Sequence, residues 1–375
     1  MVKCCKMVVY LLLLLLIAGS CKNFEGTQIK GEISNLEYPY ILVSHLSADT
    51  FAIDTISVDR RGKFNYICNI DTLTTFSFYL NNYESAAVVF ADDGQKLTVK
   101  GDAHFPDLIR VNGNDINDDL TFFKSKNQDL LKQRTQLMLN MQLREVLDTI
   151  RNSTLTGNDE IAQLNLLNHE LTLNAEDFIK EHPAKMSSLI LINEFFTGSE
   201  NPKALERVLG YMQGDIMRTR AAVRLKSYSQ KINRSAEGVI APYFQLTDNG
   251  GKTIHPYDFS GKYLLLSFIS TAGIESRETV SLLKKAYSGM NRDSVEFVSV
   301  YIDSDIYPIE YVENDSIPWK VVPEKRGWGS DIVDAYNVQY IPYNILIAPD
   351  GTIKARNIPA QGVSVAINNS SKESM

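Results

Sequence analysis

Sulfur is scarce in this chain and stops early. Among 375 residues there are four cysteines, Cys4, Cys5, Cys21 and Cys68, and none follows residue 68. A Cys-X-X-Cys pair, the unit of dithiol redox chemistry, is therefore excluded from everything downstream. Histidine is sparse too: His45, His104, His169, His182 and His255 show no metal-ligand spacing such as HExxH. A GxxxxGK[ST] phosphate loop is absent. Lys and Arg number 38 against 45 Asp and Glu, a net charge of −7, whereas a nucleic-acid surface needs a basic stripe. No apolar run reaches the about 20 residues of a membrane-spanning helix. No metal, cofactor or nucleic acid is expected. What remains is ordinary globular composition, 44% hydrophobic and 22% charged, with length for two or three domains.

The longest apolar run, MVVYLLLLLLI (Met7–Ile17), follows Lys3 and Lys6 and reads as a secretory signal. Ala18-Gly19-Ser20-Cys21 then resembles a bacterial lipobox. That resemblance implies removal of residues 1–20 and a lipid on Cys21, which anchors the chain to a membrane without spanning it. The alternative is a plain signal cut near Ser20, leaving Cys21 free. Removing residues 1–20 turns 38 basic and 45 acidic residues into 36 and 45, a net charge of −9. Such a surface does not dock on anionic lipid, so acyl chains must do the anchoring. Only Cys68 then remains as a thiol, and no intramolecular disulfide can form.

Residues 21–114 read as an all-β sandwich. Short segments such as TQIKGEI, YILVSHL, FAIDTISV and KLTVKGD carry period-2 or continuous apolar character, with turn signals at Arg61-Gly62, Asn81-Asn82 and Asp93-Gly94. Phe64, Tyr66, Cys68 and Ile70 alternate onto one face, which makes Cys68 a small buried hydrophobe rather than a reactive thiol. Residues 115–235 read as a helical region of four or five helices, with Pro183 and Pro202 near helix starts. Their Leu and Met stripes fit packing within the protein better than a partner surface. Residues 236–362 alternate buried strands (YLLLSFI, VEFVSVYID, YNILIAP) with helical segments (SRETVSLLKKAYSGM, SDIVDAYNV), an α/β layer pattern. Residues 363–375 read as a disordered tail. Trp319 and Trp328 bracket KVVPEKRG, a loop-like stretch that fits packing better than ligand binding.

Three pieces, in order, carry a resemblance: APYFQLTDNGGKTIHPYDFSGKYLLLSFIST, DAYNVQYIPYNILIAPDGTI and the spacing between them. Residues about 238–360 resemble the thioredoxin-like superfamily, its TlpA/ResA-type branch and alkyl hydroperoxide reductase/thiol-specific antioxidant relatives. The segments GEISNL, DTISVDRRGKF and ADDGQKLTVKGD resemble a β-rich domain of unknown function that often precedes such domains in bacterial lipoproteins. The resemblance implies a central sheet flanked by helices and a cis Ile341–Pro342 bond beside the active-site loop. Aligning Phe268 and Arg277 with the usual Phe and Arg places the attacking cysteine of the family at Gly273 and the resolving one at Ser276. Neither position holds sulfur. The peroxidatic variant needs a cysteine three residues after Thr271, where Ile274 stands. A serine nucleophile needs a base, and His255, the one histidine of this domain, shows no sign of meeting Ser276.

The expected protein is a bacterial cell-envelope lipoprotein, periplasmic or outer-membrane, with a redox-inactive thioredoxin-like domain and no catalytic residues. Thr271, Gly273, Ser276, Tyr340, Ile341 and Pro342 are its candidate binding residues for a peptide or protein. Two roles fit Pro342: lining a surviving groove, or only shaping the sheet. The other function the family implies is thiol-disulfide oxidoreductase or antioxidant chemistry, which would have to draw on Cys68.

Overall fold

The computed structural model describes residues 26–47, 50–81, 86–151, 158–198, 202–303 and 317–373. The expected signal segment, residues 1–20, and Cys21 lie outside them. The chain divides into two compact units, Met1–Phe195 and Phe196–Met375.

The first unit opens with a β-sandwich. Its strands are β1 (Thr27–Ser34), β2 (Tyr40–Ser47), β3 (Thr50–Ser57), β4 (Lys63–Cys68), β5 (Thr74–Tyr79), β6 (Ala86–Ala91), β7 (Lys96–Asp102) and β8 (Arg110–Asn112). They form two four-stranded sheets, in order β4-β1-β7-β8 and β3-β2-β5-β6. Alternation puts one side chain in two inward, so Ile29, Ile33, Ile41, Val43, Phe76, Phe78, Val89, Leu97 and Val99 fill the space between the sheets. Cys68 packs against this core and is half-buried.

Helices α1 (Asp115–Lys126), α2 (Gln128–Arg151), α3 (Asn158–Glu181) and α4 (Met186–Phe196) follow. Helix α1 caps one edge of each sheet. The Asn117 side chain accepts from the Phe90 amide (3.1 Å) and donates to its carbonyl (2.6 Å) on β6. The Thr121 hydroxyl accepts from the Val111 amide (2.9 Å) and donates to its carbonyl (2.7 Å) on β8. An edge strand otherwise presents unpaired amides as a template for aggregation. The expected single helical region 115–235 is thus divided. Helices α1–α4 belong with the sandwich, while α5 (Pro202–Tyr211) and α6 (Arg220–Asn233) belong to the second unit. Among the described residues this stretch holds six helices, where four or five were expected. Helices α1 and α2 part at buried Asn127, whose amide group donates to the Phe123 carbonyl and whose oxygen accepts from Asn174.

The second unit is an α/β layer. Its sheet has the order β13-β12-β11-β14-β15. Strand β11 (Tyr263–Ile269) is parallel to β12 (Val295–Tyr301), which is parallel to β13 (Lys320–Pro323). On its other side β11 is antiparallel to β14 (Tyr343–Ile347), itself antiparallel to β15 (Ile353–Ala355). Every residue of β11 is buried, because both faces are covered. Leu264, Leu266 and Phe268 enter a core with Val298, Val300, Ile345 and Tyr336. Tyr263 and Leu265 face Leu283 and Tyr287 of α7 (Ile274–Ser288) and Val363 and Ile367 of α9 (Val363–Glu373). A short hairpin, β9 (Leu246–Thr247) with β10 (Thr253–Ile254), and helix α8 (Asp331–Ala335) complete the first of these faces. Arg356 ties β15 to the chain leaving α6, donating to the carbonyls of Ser235 (2.6 Å) and Tyr336 (2.8 Å).

Two expectations fail here. Residues 363–373 are helix α9, not a disordered tail, because Val363, Ala366 and Ile367 sit at helical spacing and bury against α7. Lys320–Pro323 is an edge strand rather than a loop. Trp319 before it is buried against Tyr287 and Phe297, with its indole N–H donating to Ser299 Oγ at 2.9 Å, while Trp328 is exposed.

Gly62 is the tightest point of the sandwich: at φ +74°, a Cβ there would lie 1.8 Å from the Ile33 carbonyl oxygen. Gly62→Ala is expected to lose more than about 2 kcal/mol of the sandwich's stability in a urea titration, from the left-handed conformation and the backbone clash together. An unchanged midpoint would refute this packing.

Candidate functional site

The register of β11 and β14 sets the site. Phe268 pairs with Tyr343, so the residue before β14, Pro342, lies at the end where β11 releases Ser270. The Ile341–Pro342 bond is cis, as the resemblance implied. Thr271, Gly273 and Ser276 on one segment, and Tyr340, Ile341 and Pro342 on the other, therefore lie at the same end of the sheet, the carboxyl end of the central strand. Open α/β sheets place their ligand sites at such strand ends. Tyr340 is exposed and its ring stands edge-on to Tyr343 at 5.3 Å, whereas Ile341 packs partly into the core. Ile274, the first residue of α7, is 70% exposed beside them in sequence from Gly273.

The loop entering α7 is closed on itself. Gly273 is the helix N-cap, at φ −73° and ψ 132°. Ser276 is 2% exposed, and its Oγ accepts from the Ser270 amide at 3.0 Å. The Ser270 hydroxyl in turn accepts from the amides of Ala272 (3.1 Å) and Gly273 (3.2 Å). At the exit of β12, Asp303 accepts from the Ser270 hydroxyl (2.5 Å), the Thr271 amide (2.9 Å) and the Thr271 hydroxyl (3.0 Å). Free amides at a helix N-terminus attract an anion such as a thiolate. Here the Asp303 carboxylate and the Ser270 and Ser276 hydroxyls engage the amides of residues 270–273, in the loop just before that helix end. Sequence reading missed Asp303. Its one signal was an acid directly after the buried run VEFVSVYI.

Among the described residues, the Ser276 hydroxyl is bonded to the Ser270 amide and to no basic side chain. His255 caps the turn Pro256–Phe259 instead; its Nδ1 meets the Tyr243 hydroxyl at 2.8 Å and its ring stacks on Tyr257 at 4.8 Å. Among the described residues no cluster of three His, Cys, Asp or Glu has the geometry to hold a metal ion, and no helix is long and apolar enough to cross a membrane.

Cys68 lies in the first unit. Its Sγ donates to the Thr27 carbonyl at 3.9 Å. Burial pushes the thiol up to about 11, although the hydrogen bond with Tyr66 opposes the shift. Tyr66 donates to Asp54, which also meets His45 Nε2 at 3.2 Å. That carboxylate disfavours a second negative charge on Cys68. The surroundings of this thiol suppress the thiolate that exchange chemistry needs.

Residues 261–353 match the family model described as thioredoxin-like. The thiol-disulfide oxidoreductase ResA of Bacillus cereus is 28% identical over 129 residues, which cover 34% of this chain and 73% of that protein. ResA of Bacillus subtilis is 29% identical over 119 residues, 32% of this chain and 65% of that protein. A solved thiol-disulfide oxidoreductase from Bacteroides fragilis is 26% identical and covers 36% of this chain and all of its own, with a TM-score of 0.31. The chain thus joins an N-terminal β-rich region and central helices to a C-terminal thioredoxin-like α/β domain whose relatives include ResA-type thiol-disulfide oxidoreductases.

Proposed function

We propose that this protein is a lipid-anchored cell-envelope lipoprotein whose thioredoxin-like domain has no redox chemistry and serves as a binding module for extended peptide or protein segments. The observation that carries this is the loop at the start of α7. Gly273 offers no side chain, and Ser276 is buried and engaged by the Ser270 amide. Thiol–disulfide exchange needs an attacking thiolate and a second sulfur to resolve the mixed disulfide. The relatives' name therefore does not transfer with the fold.

The binding side of the proposal rests on Tyr340, Ile341 and Pro342 lying at the same end of the sheet as the exposed Ile274. A peptide laid there would use backbone hydrogen bonds along the loop before β14 and apolar contacts to Tyr340 and Ile274. Thr271 and Ser276 would hold the loop rather than touch the ligand, because Asp303 and Ser270 engage them. The lipobox at Ala18–Cys21 supports the anchor, and the acidic surface leaves the acyl chains to hold the protein at the membrane.

Three measurements test this. In an insulin-reduction assay the native chain is expected to turn over at the buffer rate, and Gly273→Cys/Ser276→Cys to gain measurable turnover. Native turnover that disappears in Cys68→Ser would favour the oxidoreductase instead. Alkylation of Cys68 by iodoacetamide should stay slow at pH 8 and rise through pH 9 to 11, since the neutral thiol is favoured until the pH approaches about 11. A fast reaction at pH 7 would contradict the suppressed thiolate. Finally, envelope proteins crosslinked to the native chain should be lost in Ile274→Asp and reduced in Pro342→Ala. Identical partner sets in all three would remove the groove.

A further inference from the structure

The sandwich exposes its large apolar side chains mostly at one end, and strand register fixes which end that is. Strand β1 starts at Thr27, opposite Cys68 and next to the Gln28–Ile67 pair. It runs parallel to β7, so the turn before β7 lies at the same end, and the Thr27 hydroxyl donates to the Asp92 carbonyl there at 2.8 Å. Ala91, closing β6, pairs with Thr74 at the start of β5. Strand β5 meets β2 at Phe76 and His45, and the next residue of β2, Leu46, pairs with Phe51 of β3. Thr27, Leu46, Phe51, Ile67 and Leu73 therefore share one end.

Phe51, Ile53 and Leu46 are 63%, 61% and 59% exposed, and Ile67 and Leu73 are exposed as well. Tyr38 is the exposed large apolar side chain described at the opposite end, and Ile53 and Val88 are exposed in mid-strand. Scattered exposed apolar residues are normal, but a gathered set marks an interaction surface.

Chain length says what covers it. Thr27 is six residues after Cys21, a reach of at most roughly 20 Å. With lipid on Cys21, the end that carries Leu46 and Phe51 is the end held against the bilayer. Asp71, Asp92 and Asp93 also lie in the turns at this end, so attraction to anionic headgroups is not the cause. A neutral surface suits it better. We propose that this end of the sandwich seats on a zwitterionic membrane surface, with Leu46 and Phe51 at the boundary between headgroups and acyl chains. Acyl chains on Cys21 tether the chain without fixing its orientation, and a second, apolar contact strengthens and orients such an anchor. The proposal rests on the lipid-anchor reading of Cys21.

The test uses the full acylated chain in vesicles of phosphatidylcholine and phosphatidylethanolamine. Spin labels are placed at Phe51→Cys or Tyr38→Cys, each with Cys68→Ser. The label at 51 should show a several-fold higher ratio of oxygen to aqueous nickel-chelate accessibility than the label at 38. An acylated chain whose two labels are equally water-accessible would overturn the proposal and leave the anchor standing. A mature chain whose mass shows no acyl groups would remove the anchor reading and the proposal together. Shielding of label 51 in the unacylated Cys21→Ser chain, without vesicles, would show that a second copy covers this end and would also overturn it.

Discussion

Four donors from three consecutive residues converge on the Asp303 carboxylate: the hydroxyls of Ser270 and Thr271 and the amides of Thr271 and Ala272. The geometry of the candidate site follows from that convergence. Strand β11 must deliver Ser270 beside the end of β12, and their parallel register does so: Ile269 pairs with Tyr301, and the Ile302 amide donates to the Ile269 carbonyl at 3.1 Å. The loop then turns into α7 with its amides satisfied from within. In a partly buried loop this matters, because an unpaired amide costs about 1–3 kcal/mol. The same carboxylate sets the electrostatics. It places a negative charge where a redox-active relative needs a site that favours a thiolate, so a cysteine introduced at Gly273 would ionise less readily than the helix N-terminus alone would allow.

The pieces that were legible in the sequence were those with strong local pattern. Strand β11 announced itself as seven apolar or small residues between Gly261-Lys262 and a polar loop, and its neighbours VEFVSVY and YNILI did the same. The sandwich strands were visible through alternation, since one sheet face meets the core and the other meets water. What local pattern cannot encode is partnership at a distance. Asp303 is a lone acid after a strand, and only the register shows that it faces residue 270. Helix α9 looked like a polar tail because NNSSKE dominates its composition, yet Val363 and Ile367, one turn apart, find α7. The division of the helices between the two units was hidden for the same reason. Asn117 and Thr121 are ordinary helix residues until they are seen completing the edges of β6 and β8.

Those two edge contacts also explain why a sandwich followed by helices stays together as one unit. A four-stranded sheet leaves donors and acceptors at its margins, and Asn117 and Thr121 each answer both the amide and the carbonyl of one edge residue. The pairing is specific to single residues, unlike apolar packing, which tolerates shifts. It therefore fixes where α1 lies along the sheet as well as holding it there.

Two glycines separate what the backbone requires from what the chemistry has given up. Gly62 sits in the left-handed region, and an added Cβ would overlap the Ile33 carbonyl, so the fold requires glycine there. Gly273 does not. Its φ of −73° suits any residue, and a Cβ built on it would make ordinary contacts of 3.5 Å with Ser270 Cβ and Ser276 Oγ. Space for a side chain exists at residue 273, and a Cβ there points toward Ser276. The fold did not exclude cysteine from residue 273. The absence of sulfur at this site is thus a property of the sequence alone, on a frame whose dimensions would still accept it.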